Sequence, residues 1–125
     1  MTSFDPYLAM RRFGTGLAAQ SAPPADAGAL LADLVGPDAV GTRYTVPPSA
    51  LYRDLDAEIV RLRRAKRASE NSAKIERFDA QTSAAKAQAG ALQLAAVKAR
   101  VARGVAAPIG FRERLEWFWA DHFTV

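Results

Sequence analysis

Gly110–Val125 reads GFRERLEWFWADHFTV and holds both tryptophans, three of the six phenylalanines and the only histidine of the chain. At about 100° per residue, Phe111, Leu115, Phe118, Trp119, His122 and Phe123 fall on one broad helical face. Arg112 and Glu116 border it, while Glu113, Ala120 and Asp121 lie opposite. Two residues break the pattern of a simple surface helix. His122 sits within the apolar face, and Trp117 projects from the polar one. A helix that asks for burial on two sides belongs inside a larger protein. The sequence then stops at Thr124-Val125 without a glycine cap or polar tail, which reads as a truncation.

Near the start stands Arg12-Phe13-Gly14-Thr15-Gly16. Paired with Gly110-Phe-Arg-Glu-Arg-Leu-Glu-Trp-Phe-Trp-Ala-Asp-His-Phe-Thr, it resembles the opening of the bacterial domain of unknown function 1800 family. The aromatic motif is the more specific of the two. The resemblance implies a mostly helical protein of several hundred residues, of which this chain would be the N-terminal portion. It brings no catalytic chemistry to these positions.

Composition points the same way on fold class. Half of the 125 residues are hydrophobic, but 27 residues are alanine. Alanine favours helix and offers little area to bury, at about 0.8 kcal/mol per methylene. The expected product is all-α and thinly packed. With no cysteine, disulfides and thiolate metal sites are excluded. No apolar run approaches the roughly 18 residues of a membrane span. Arg11-Arg12-Phe13 invites a twin-arginine export reading, but Gly14 to Gln20 is too short and polar to serve as its apolar region. The cytoplasm is the default.

Asp5-Pro6 is a helix start, and Gly14 can end that helix in a left-handed conformation. Gly14 and Gly16 could form a phosphate cradle, but a GxG without a preceding strand reads better as a helix stop. A second helix is expected from about Pro24 to Val35, stopped by Gly36-Pro37, and residues 38–48 read as an extended loop.

From Ser49 to about Gly104 there is no proline and one internal glycine, Gly90. Ser49 can cap the start. Leu51, Leu55, Ile59 and Leu62 are followed, past a polar patch at Ser69–Ser72, by a 3-4 alternation. Its members are Ile75, Phe78, Thr82, Ala85, Ala89, Leu92, Ala96 and Ala99. This is the spacing of a coiled-coil seam. An antiparallel hairpin turning at the polar patch is favoured over one helix of about 80 Å, and would bring Leu55 or Ile59 near Leu92 or Ala96. The division is thus short helices and loops over 1–48, a long alanine-rich basic helical segment over 49–104, and an aromatic helix over 105–125.

Three functions compete. In the leading one the chain is a helical scaffold or interaction segment. Phe111, Leu115, Trp117, Phe118, Trp119 and Phe123 would dock onto helices of the remainder of its own longer chain or of another helical protein. In the second, an enzyme site lies downstream and borrows His122. Asp121 points about 100° away from His122 on a helix, so a core histidine with hydrogen-bonded nitrogens is the preferred reading. No cofactor motif, catalytic constellation or metal motif is visible. In the third, a basic arm binds a polyanion through Arg61, Arg63, Arg64, Lys66 and Arg67. Residues 50–103 carry twelve basic and six acidic side chains. Without interleaved aromatics or a nucleic-acid motif, nucleic acid is the less favoured partner, and a solvated helix face the preferred reading.

Overall fold

The computed structural model describes residues 3–16 and 21–123. Leu17 to Gln20, weighed for export, and Thr124-Val125 lie outside them. The chain is all-α, with helices α1 Pro6–Phe13, α2 Ala27–Val35, α3 Ala39–Arg43, α4 Ser49–Arg67, α5 Ser72–Ala106 and α6 Phe111–Phe123. No strand occurs among the described residues. Two compact units are formed. One comprises Met1–Thr45 with Ala99–Val125, and the other is Val46–Lys98, so α5 contributes to both.

The Val46–Lys98 unit is the antiparallel hairpin. Helix α4 ends at Arg67, Ala68 to Asn71 make the turn, and α5 starts at Ser72. The Tyr52 hydroxyl donates to the Leu92 carbonyl at 3.0 Å, and Lys66 pairs with Asp79 at 2.7 Å. Moving along α4 toward the turn therefore matches moving back along α5. Along α5 up to Leu92 and Ala96, each seam residue is buried or half-buried, while most of its neighbours stay exposed. Leu92 faces Tyr52, and Leu55 shares a groove with Ala85 and Gln88. The hydroxyl of Tyr52 fixes that pairing, a side-chain bond that apolar spacing does not encode.

Capping explains the remaining departures. Helix α2 starts at Ala27 and not near Pro24, because the Asp26 carboxylate accepts from Ala29 N at 2.8 Å. The stretch read as an extended loop begins with α3, whose Asp38 caps Gly41 N at 2.7 Å. At the head of α4, Pro48 occupies the cap position and makes no side-chain bond, while the Ser49 hydroxyl accepts from Arg53. Asp5 does cap α1 as expected, accepting from Tyr7 N and Leu8 N. Gly14 is extended rather than left-handed, at φ −91°. Space is what it supplies, since a Cβ there would come within 2.5 Å of the Ile109 carbonyl oxygen.

Packing is thin. Of the buried apolar residues, Ala9, Ala85, Ala96 and Ala107 are alanines, beside Met10, Leu30, Ile59 and Leu62. Leu62, 1% exposed, therefore carries a large share of the hairpin's burial, whereas Leu94 on α5 is 55% exposed. Leu62→Ala is expected to cost about 2–5 kcal/mol and to unfold the hairpin at markedly lower urea. Leu94→Ala should stay within about 0.5 kcal/mol. Equal effects in urea titrations followed by helix signal would contradict this packing.

Candidate functional site: an aromatic helix with a buried glutamate

The two sequence motifs meet in space. Phe13 packs edge-on against Phe111 with centroids 5.9 Å apart, and Arg114 donates to the Gly14 carbonyl at 3.3 Å. Thr15 lies against Gly110, whose φ of 76° is left-handed and which has no room for a Cβ. The glycine motif is thus the bed on which the turn before α6 rests.

Helix α6 is fixed at its start by exchange with α2. The Asp33 carboxylate accepts from Phe111 N at 2.9 Å and Arg112 N at 3.2 Å, capping α6 from another helix. The Arg112 guanidinium in return donates to the Leu34 and Gly36 carbonyls at 2.8 and 2.6 Å, at the end of α2. Free N–H groups at one helix end and free carbonyls at another are satisfied together.

Behind this exchange lies a charge cluster in which Arg103 and Glu113 are buried while Asp38 and Glu116 remain open to solvent. Arg103, 8% exposed, reaches Asp38 at 3.1 Å, Glu116 at 3.2 Å and Glu113 at 3.6 Å. Glu113 is 3% exposed and borders a cleft of about 200 Å³ with Asp33, Asp38 and Arg112. Sequence reasoning placed Glu113 on the polar side of α6 but missed that this side faces inward. Nothing in the sequence spacing of Arg103, Asp33 and Asp38 announces a tertiary contact. Trp117 belongs to this inner side as well. A Cβ on Gly104 would come within 2.6 Å of the Trp117 ring, so the indole lies against the α5 backbone there.

The other side of α6 is open. Phe118, Trp119 and Phe123 are exposed, Phe123 at 71%, and Trp117 is exposed in part. Phe111 and Leu115 are half-buried. The open rings contact one another, Trp119 stacked on Phe123 and edge-on to Phe118 at 5.2 Å each. His122 is exposed rather than desolvated, because the face it shares has no cover in this chain. Its Nδ1 lies 2.8 Å from the Phe118 carbonyl, and its ring sits 4.0 Å from the Phe118 ring. A carbonyl only accepts, so Nδ1 is the donor in this contact. Among the described residues no three His, Cys, Asp or Glu side chains are grouped to hold a metal.

Two cations of α4 are paired: Arg61 is held by Glu58 through two bonds of 2.6 and 2.7 Å, and Lys66 by Asp79. Arg63, Arg64 and Arg67 are exposed and fall within about 100° of one another around the helix.

An all-α chain with a glycine bed under an aromatic helix is the class defined by these observations. The family described as Protein of unknown function (DUF1800) matches residues 9–125, and the chain belongs to that family. None of the curated proteins and none of the solved structures compared with the chain matches it. No described helix is long and apolar enough to cross a membrane.

Two predictions follow from the inner face. Gly104→Ala should displace the Trp117 ring, costing about 1–3 kcal/mol and changing tryptophan emission; unchanged emission and stability would refute the contact. For Glu113, burial first of all raises the carboxyl above its usual range. Its own backbone N–H and Arg103 lower it, and Asp33 and Glu116 raise it again. A raised carboxyl binds its proton more tightly folded than unfolded. That contribution is fully present below the unfolded value of about 4.3 and is lost as pH rises through the folded value. Relative to Glu113→Gln, the wild-type chain should therefore lose stability as pH rises through this window. A relative gain in urea midpoint would overturn the assignment.

Proposed function

We propose that this chain is a helical scaffold and interaction segment of a larger protein, and that the open face of α6 is its docking surface. The occupant is an apolar helical surface supplied by the remainder of the same longer chain. One observation carries the reading: α6 buries Glu113 and half-buries Arg112 while Phe118, Trp119 and Phe123 stay exposed. A helix whose final environment were water would do the reverse. Contiguous exposed aromatic surface of this kind marks an interaction site, and aromatic anchors contribute most to such contacts. The inner charges serve to hold the helix at a fixed angle while the rings are presented. His122, through its Phe118 contacts, orders the same surface and needs no catalytic role.

Trp119→Asp with Phe123→Asp provides the test. In the 125-residue chain the pair should change stability by no more than about 0.5 kcal/mol and raise solubility. Within the larger chain the same substitutions should lower stability and soluble yield sharply. Equal destabilisation in both would show the face is already covered by this chain. No effect in the larger chain would shift the occupant to a separate helical protein.

A further inference from the structure

We propose that the groove between α4 and α5 beside the hairpin turn binds the phosphate group of a small phosphorylated anion. Lys74 and Arg77 of α5 are the principal contacts, and Arg61 of α4 is the flanking one. The groove has a volume of about 340 Å³ and is lined by Arg61, Lys74, Arg77, Phe78 and Gln81, with no carboxylate among them. Folding brings these cations together, since Arg61 is separated from Lys74 by the whole turn.

Lys74 and Arg77 are one helical turn apart on α5, so their side chains leave the same side. Neither side chain makes a hydrogen bond or an ion pair among the described residues, unlike Lys66 and Arg61. The acids nearest in sequence do not fill the gap. Asp79 is drawn to Lys66, and Glu76 projects about 130° from the bisector of Lys74 and Arg77. Lys74 also lies in the first turn of the 35-residue α5, where the helix dipole favours an anion. Lys supplies a point charge and Arg a two-pronged donor, a combination suited to phosphate oxygens. Gln81 adds a neutral amide that can donate to a third oxygen.

The size and surroundings select the ligand. A groove of this volume sits at the lower end of small-molecule sites. A nucleic-acid strand would need a continuing basic track and several stacking rings. Here Phe78 is the one ring in the groove, and Arg63 and Arg67 diverge from it. A membrane surface would need apolar anchors at the turn, whereas Ala68-Ser69-Glu70-Asn71 offers none and adds a carboxylate.

Calorimetric titration of the whole chain with sodium pyrophosphate tests the site. Saturable one-to-one binding is expected, weakening as salt rises. Lys74→Ala with Arg77→Ala should weaken it about tenfold or more, with helix content unchanged. Arg77→Lys should retain part of the affinity, and Arg63→Ala with Arg67→Ala should leave it within about twofold. Absence of saturable heat, or an equal loss in the Arg63 and Arg67 variant, would overturn the proposal. So would tighter binding of a single-stranded oligonucleotide or of vesicles carrying phosphoinositide that persists in the Lys74 and Arg77 variant. Should that double variant lose helix content, Lys74→Gln with Arg77→Gln takes its place under the same criteria.

Discussion

The exchange of caps between α2 and α6 is the constraint on which the geometry of the aromatic helix depends. A nine-residue helix and a thirteen-residue helix are both too short to persist on propensity alone. Each has free backbone groups at the end that faces the other. Asp33 satisfies α6 and Arg112 satisfies α2, and the two residues are far apart in sequence but within hydrogen-bond reach of each other's helix ends. Removing either side chain strips one helix of its cap and leaves the other's cap without an anchor. The charges are also of the right sign for the helix dipoles, acid at an N-terminus and base at a C-terminus.

That exchange dictates which side of α6 faces inward. With Phe111 and Arg112 pinned to α2, Glu113 and Glu116 are carried toward Arg103, and Phe118, Trp119 and Phe123 are carried away from it. The inner face is then a polar one, with its own cost. Asp33, Asp38, Glu113 and Glu116 outnumber the guanidiniums of Arg103 and Arg112, and Arg103 Nε is buried without a hydrogen-bond partner. An ion pair in such a place is weak evidence of stability. Burial first, and then the neighbouring carboxylates of Asp33 and Glu116, raise the Glu113 carboxyl above its usual range. The arrangement gives direction more than strength, as polar contacts fix angles that alanine packing leaves loose.

What was legible in the sequence was periodicity. The seam of α5 could be read because small and apolar residues recur every three and four positions through Ile75 to Ala99, and each of them is buried or half-buried. The turn at Ala68–Asn71 announced itself through a polar patch, although no glycine or proline marks it. Residues whose roles come from tertiary contact left no such trace. Arg103 reads as one more cation of a basic helix, Asp33 as an acid near a helix end, and Tyr52 as an interruption between Leu51 and Leu55. The dense run Arg61 to Arg67 is divided by its partners, since Arg61 is held by Glu58 and Lys66 by Asp79. Lys74 and Arg77 were less conspicuous in sequence, yet share a groove with Arg61 after folding.

Glycine and tryptophan explain why the two quoted motifs belong together. Gly104 and Gly110 leave the backbone before α6 bare, and Trp117 and Thr15 occupy the space. Gly14 in turn lets the chain after α1 approach Ile109. Any side chain at these positions would lift α6 from its bed, and the cap exchange with α2 tolerates little displacement, since hydrogen bonds weaken steeply with misalignment. The motif residues are therefore accounted for by close packing and by the presentation of Phe118, Trp119 and Phe123. Trp117 breaks the pattern of a helical projection because it stands on the polar side, and that side is the one by which α6 is anchored. On a helix anchored through its polar side, an inward ring over a glycine backbone is the contact that keeps the outward rings in place.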